Sequence, residues 1–128
     1  MRSDCPVSYA LDFFGDKWTF LVIRDLLEGK KFYRDFLGSM EGIATNILSD
    51  RLKKLEANGI IESKIYEKLK TMKQYSLTRK GKDLIPIVVE MMAWSVKHKT
   101  GLAVGEDFME KVEKDRAQLI KNIQARLD

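Results

Sequence analysis

Apolar positions recur at helical spacing in six stretches of this chain and at strand spacing in two. Residues 6–14 open on Pro6, suited to a first helical turn, and carry Tyr9, Leu11, Phe13 and Phe14 before Gly15 ends the segment. Asp16 suits the N-cap of a second helix over 17–28. Trp18, Leu21, Val22, Asp25 and Leu26 mark one stripe of it and Phe20, Ile23 and Leu27 another, so it belongs at the centre of a fold. Gly29 supplies a stop, and 30–38 predicts a short helix with Phe32, Phe36 and Leu37 inward and Lys31, Arg34 and Asp35 outward. After a turn at Glu41, Gly42 and Ile43, a helix over 44–58 places Ile47, Leu48, Leu52 and Leu55 on one face. Asn58 and Gly59 close it, and 60–66 with 74–78 read as the strands of a hairpin. Thr78 is placed to cap a further helix carrying Leu84, Ile85, Ile87, Val88, Met91, Met92 and Trp94, bent by Pro86. Residues 98–105 read as a linker, and 106–127 as a charged helix with Phe108, Met109, Val112, Leu119, Ile120, Ile123 and Leu127 along one side.

Charge changes this picture from a fold into a surface. Residues 30–82 carry thirteen Lys and Arg against six Asp and Glu, while the flanks come to −2 and −1, so the whole basic excess lies on the helix, turn, helix and hairpin. That layout is a winged helix-turn-helix built to lie against phosphates. The expected class is mainly α with a small β-hairpin (α+β), with flanking dimerisation helices. Residues 1–97 would form the DNA-binding domain, with the recognition helix at about 44–57 and the wing at about 60–78; 98–105 would be a linker and 106–128 a C-terminal dimerisation helix.

Composition narrows the alternatives. With 128 residues and 45% hydrophobic content the chain can bury one core, and 33% charged residues with two prolines and eight glycines exclude collagen-like or disordered classes. One cysteine and one histidine, His98, leave no usual set of metal ligands, so no metal and no cofactor are expected. Uncharged runs such as 84–89 fall far short of the roughly 20 residues a bilayer crossing needs, and the N-terminus has no apolar signal core. A cytoplasmic protein without a membrane partner is expected. There is no Ser/His/Asp set and no Gly-rich phosphate loop, which argues against an enzyme.

The outer face of the 44–58 helix carries Thr45, Asn46, Ser49, Asp50 and Lys53, side chains able to bond base edges in a major groove about 12 Å wide. A solvated polar face would carry the same residues. Lys31, Arg34, Arg51, Lys54, Lys64, Lys68, Lys70 and Lys73 are the candidates for phosphate contacts. On the hairpin, lysines that merely keep edge strands soluble are the alternative.

Several pieces of the sequence, in order, resemble the HxlR family of bacterial and archaeal transcription regulators. They are Cys5-Pro6; Gly15-Asp16-Lys17-Trp18-Thr19; Gly42 through Leu52 with Leu55-Glu56; Gly59-Ile60-Ile61-Glu62; and Tyr75-Ser76-Leu77-Thr78 with Gly81. The match covers residues 5 to about 95. The resemblance implies a winged-helix homodimer, without enzymatic activity, that binds double-stranded DNA at an inverted-repeat operator. Two departures stand out. Ala44 occupies a place where the family often has a capping serine, and the wing tip reads Lys68-Leu69-Lys70-Thr71-Met72-Lys73 where the family often has prolines and an arginine.

The resemblance also implies that a cysteine at the place of Cys5 serves some members as a sensor of oxidants or electrophiles. A sulfur at a helix N-terminus faces unpaired N–H groups and the positive end of the dipole, a setting suited to an anion, with Arg2 helping and Asp4 opposing. With no second cysteine, a disulfide switch would join two subunits or trap a small thiol. A quiet cysteine packed under the first helix is the alternative. Tyr9, Phe13, Met92, Phe108, Val112, Leu119 and Ile123 are expected at a two-fold interface that sets two recognition helices roughly 34 Å apart. The alternative is a last helix folded back on its own domain. In function, the competing readings are a winged-helix protein-interaction module, or a ligand sensor with an aromatic pocket from Trp18, Phe20, Trp94 or Phe108, each with only non-specific DNA affinity.

Overall fold

A computed structural model describes residues 4–105 and 107–127. Arg2, and Glu106 at the expected start of the last helix, lie outside the described residues. The chain divides into two compact units, one ending at Thr78 and one starting at Arg79.

In the first unit, α1 (Pro6–Phe14) starts on its proline and α2 (Lys17–Leu27) follows a cap by Asp16, whose carboxylate accepts from the Trp18 and Thr19 N–H groups at 3.0 and 3.1 Å. α3 (Tyr33–Leu37) is shorter than its apolar pattern predicts. The preceding residues are extended instead: Phe32 bridges Gln74, and the Tyr75 N–H donates to the Lys31 carbonyl at 2.7 Å, so backbone pairing with the hairpin outcompetes helix. α4 (Thr45–Ala57) ends in a Schellman-type turn, with the Ile60 N–H donating to the Leu55 carbonyl and Gly59 at φ +72°. Strands β1 (Ile61–Ile65) and β2 (Lys73–Leu77) pair antiparallel, with Ile61 opposite Leu77 and Ile65 opposite Lys73.

The core of this unit is built from α2 (Val22, Ile23, Leu26), α3 (Phe36), the turn residue Ile43, α4 (Leu48, Leu52, Leu55), and Ile60, Ile61 and Leu77 of the hairpin region. Enclosing each large side chain contributes about 1.5–3 kcal/mol relative to exposure. α1 buries none of its residues and is tied to α2 by a run of rings, Tyr9 to Phe13, Phe13 to Phe14 and Phe14 to Phe20, with centroids 5.0, 6.0 and 5.1 Å apart.

In the second unit the expected bent helix is two helices. α5 (Arg79–Lys82) stops, and α6 (Ile85–His98) begins with Pro86 in its first turn, where a missing N–H costs nothing. α6 starts without a side-chain cap, and the Thr78 hydroxyl donates to the Gly59 and Ile60 carbonyls. α7 (Phe108–Leu127) packs against α6, and Arg116 pairs with Glu90 at 2.8 Å. It is not one continuous helix. Asp115 leaves helical geometry (φ −158°, ψ 79°) and its carboxylate accepts from the Gln118 N–H, so it acts as an N-cap that restarts the helix.

Candidate nucleic-acid interface

Two charge clusters hold α4 and the turn before it onto α2. At the turn, the Arg24 guanidinium donates two bonds to the Glu41 carboxylate, at 2.7 and 2.8 Å, and a third to Asp25 at 2.8 Å. Asp25 is 2% exposed and also receives Lys30 Nζ at 3.2 Å and the Ser39 hydroxyl. Gly42, at φ +67°, lets the chain double back here at a conformation other residues seldom adopt. On α4, Arg51 donates from Nε to Asp16 at 3.0 Å and from Nη1 to Asp50. Asp16 thus caps one helix and anchors another. Burial pushes its carboxyl up, but the bonds from Thr19 and Arg51 outweigh this and hold it below the usual range.

The Arg24 guanidinium brings Glu41 down to about 2, from an ordinary value of 4.5. A carboxyl lowered on folding contributes stability that is complete above 4.5 and lost as pH falls from there towards 2. Glu41→Gln is expected to flatten the pH dependence of stability in that window, measurable by acid titration of both proteins under circular dichroism. Parallel acid curves would show that the ion pair contributes nothing there.

With its inner face clamped, α4 turns its other face outward. Thr45, Asn46 and Lys53 are exposed; Ser49 and Asp50 are half-buried. The Ser49 hydroxyl lies 3.0 Å from that of Tyr33, and Asp50 is paired with Arg51 and Lys54, the Lys54 bond holding its carboxyl low. Ala44 gives α4 no side-chain cap. Among the phosphate candidates, Lys31, Arg34, Lys54, Lys64, Lys68, Lys70 and Lys73 are exposed, whereas Arg51 is half-buried with its guanidinium engaged by two carboxylates. The register separates two of them. Lys64 lies opposite Gln74 and Lys73 opposite Ile65, so strand alternation sends these lysines to opposite faces of the hairpin. The tip between the strands is closed by backbone bonds from Tyr66 to Met72, Leu69 to Tyr66 and Met72 to Leu69.

The residues expected at a two-fold interface do not all remain available. Phe108 and Val112 are buried within the single chain, so in this conformation they have no surface left for a second copy. Met92, Leu119, Ile123 and Phe13 are half-buried, and Tyr9 is exposed. Large exposed apolar side chains include Val7, Tyr9 and Leu11 on α1 and Ile87, Met91 and Trp94 on α6, with others at Met40, Ile65, Leu69 and Leu102. Cys5 is exposed at the N-cap of α1. Among the described residues no helix is long and apolar enough to cross a membrane, and no group of His, Cys, Asp and Glu could hold a metal. Tyr33, Arg24, Asp25 and Glu41 escaped the sequence reading as parts of the interface, since their partners lie up to 17 residues away and leave no local spacing signal.

A short helix, a glycine turn and a clamped second helix with a polar outer face, followed by a two-stranded wing, define a DNA-binding winged helix-turn-helix protein. The HxlR-like helix-turn-helix family model matches residues 13–101, and the chain belongs to that family, as a transcriptional regulator. It is 34% identical over 93 residues to the HTH-type transcriptional regulator YybR of Bacillus subtilis, covering 73% of this chain and 74% of that one. The crystal structure of PA1607 has a TM-score of 0.72 at 32% identity, covering 82% of this chain and 72% of that one. The redox regulator HypR in its oxidized form has a TM-score of 0.67 at 34% identity, covering 76% of this chain and all of that one.

Proposed function

We propose that this regulator binds an inverted-repeat operator as a homodimer and reads sequence with α4. The observation that carries this is the division of α4 into an inner face of Leu48, Leu52 and Leu55, buried and pinned through Arg51, and an outer face on which Thr45, Asn46, Ser49, Asp50 and Lys53 stand. Such a helix can enter a major groove as a rigid body. Lys31, Arg34, Lys54 and the wing lysines supply the phosphate contacts, with Arg51 acting chiefly through its hold on Asp16. The exposed apolar side chains of α1 and α6 support pairing of two copies, and the second unit, 79–128, contributes helices to that pairing.

The regulator responds to oxidants through Cys5. Its exposure at the start of α1 and the likeness to a redox regulator solved in an oxidized form support this reading. Two Cys5 thiols of a dimer, or one and a small thiol, would lose two protons and two electrons to the oxidant as the S–S bond forms.

The test is a titration of the protein, reduced and oxidised, against its own upstream intergenic DNA and against random duplex. Tight, selective binding by a species of dimer mass is expected; equal, weak binding to both DNAs would favour a protein-interaction module. Cys5→Ser is expected to bind operator normally and to lose the response to oxidant. An unchanged response in that variant would remove Cys5 from the mechanism.

A further inference from the structure

Tyr33, on the first helix of the pair, reaches across to α4 with its phenolic oxygen. That oxygen lies 3.0 Å from the Thr45 carbonyl and 3.0 Å from the Ser49 hydroxyl. A tyrosine has one phenolic hydrogen and a carbonyl can only accept, so the hydrogen is committed to Thr45. Were it turned to Ser49 instead, two oxygens without a hydrogen between them would face each other at 3.0 Å. The bond between Tyr33 and Ser49 must therefore be donated by Ser49. Its one hydroxyl hydrogen is then used inside the protein, and the alternative outlet for a helical serine, the carbonyl four residues back, is that same Thr45 oxygen already taken by Tyr33.

We infer that Tyr33 is a specificity-determining residue: it locks the Ser49 hydroxyl into the role of a pure hydrogen-bond acceptor towards DNA. An unrestrained serine can donate or accept and tolerates any base edge, whereas an acceptor selects an amino group, the adenine N6 or the cytosine N4, and disfavours guanine O6 and thymine O4. Tyr33 itself needs no contact with a base, which makes it a positioning residue. The inference rests on the proposed reading of α4 as the recognition helix.

The experiment is selection from a randomised duplex pool with wild type, Tyr33→Phe and Ser49→Ala. A selected duplex is then tested with the amino group removed from one base, by purine deoxyriboside for adenine or 2-pyrimidinone for cytosine. Wild type is expected to show one half-site position that separates adenine and cytosine from guanine and thymine on one strand. Loss of that amino group should weaken wild type about fivefold and leave Ser49→Ala unaffected. Tyr33→Phe, which keeps the ring and its packing, should accept all four bases at that position with the other positions unchanged. A Tyr33→Phe profile identical to wild type, or a Ser49-dependent position insensitive to amino removal, overturns the inference. Uniform loss across every position would mean that Tyr33 only supports the helix. A pool in which wild type enriches nothing would instead remove the recognition-helix reading, and this inference with it.

Discussion

Raising the salt concentration from 50 to 200 mM is expected to weaken binding of duplex DNA by about three orders of magnitude. The net charge is only +4, but the positive charge is concentrated between residues 30 and 82, and Lys31, Arg34, Lys54 and the wing lysines are exposed there. Because Lys64 and Lys73 point to opposite faces of the hairpin, only part of the wing set can meet one backbone. About three contacts per protomer, or about six per dimer, would release enough counterions for a slope of about −5 in log K against log salt. Lys70→Ala should weaken all sequences alike and lower that slope by about one per protomer, whereas Asn46→Ala should reduce discrimination at particular bases with little change in slope. Binding measured by anisotropy at four salt concentrations gives both quantities. A slope near zero would show that the basic segment is a solvated surface.

Asp25→Ala is expected to lower the free energy of unfolding by about 3 kcal/mol, a large fraction of the total for a domain of this size. Its carboxylate is almost fully enclosed, yet it receives Arg24, Lys30 and the Ser39 hydroxyl. Removing it leaves two cations facing each other without their shared counterion and a hydroxyl without its acceptor. The cost stays at the lower end of the range for buried pairs because Arg24 and Lys30 are each 29% exposed and can recover some water. Urea denaturation measures it. Since the cluster holds the turn before α4, DNA affinity should fall in the same variant even under conditions where it remains folded. A loss below about 0.5 kcal/mol, the size usual for surface substitutions, would show that the cluster relaxes freely.

Much of the first unit was legible because its signals are local. Pro6, the Asp16 cap, Gly42 and the Asn58-Gly59 end each act within a few residues, and apart from the start of α3 each element edge there lies within a residue or two of where spacing places it. Legibility failed wherever a non-local partner or a local competitor won. Phe32 left its helix for a bridge to Gln74, 42 positions on. Asp115, one charge among many on a polar face, broke the last helix because its side chain bonds the backbone better at a cap than within a turn. The outer face of α4 was visible as a set of residue types. That Ser49 is tied to Tyr33 and Asp50 to Arg51 and Lys54 was not.

The sequence by itself determined the elements of the first unit, which helix face is polar and where the positive charge accumulates, because periodicity, caps and charge runs are properties of neighbouring residues. Tertiary structure alone decided which of those polar groups remain available. Arg51 and Arg24 carry the same charge as the exposed lysines, but close carboxylates from other elements have claimed them, Asp16 for one and Glu41 for the other. Phe108 and Val112 are as apolar as the exposed Trp94, yet packing within the chain has already covered them. Whether a side chain meets solvent, DNA or another residue depends on what folding brings within about 3 Å of it, and residues 17 or 35 positions apart carry no mark of that proximity in their order along the chain.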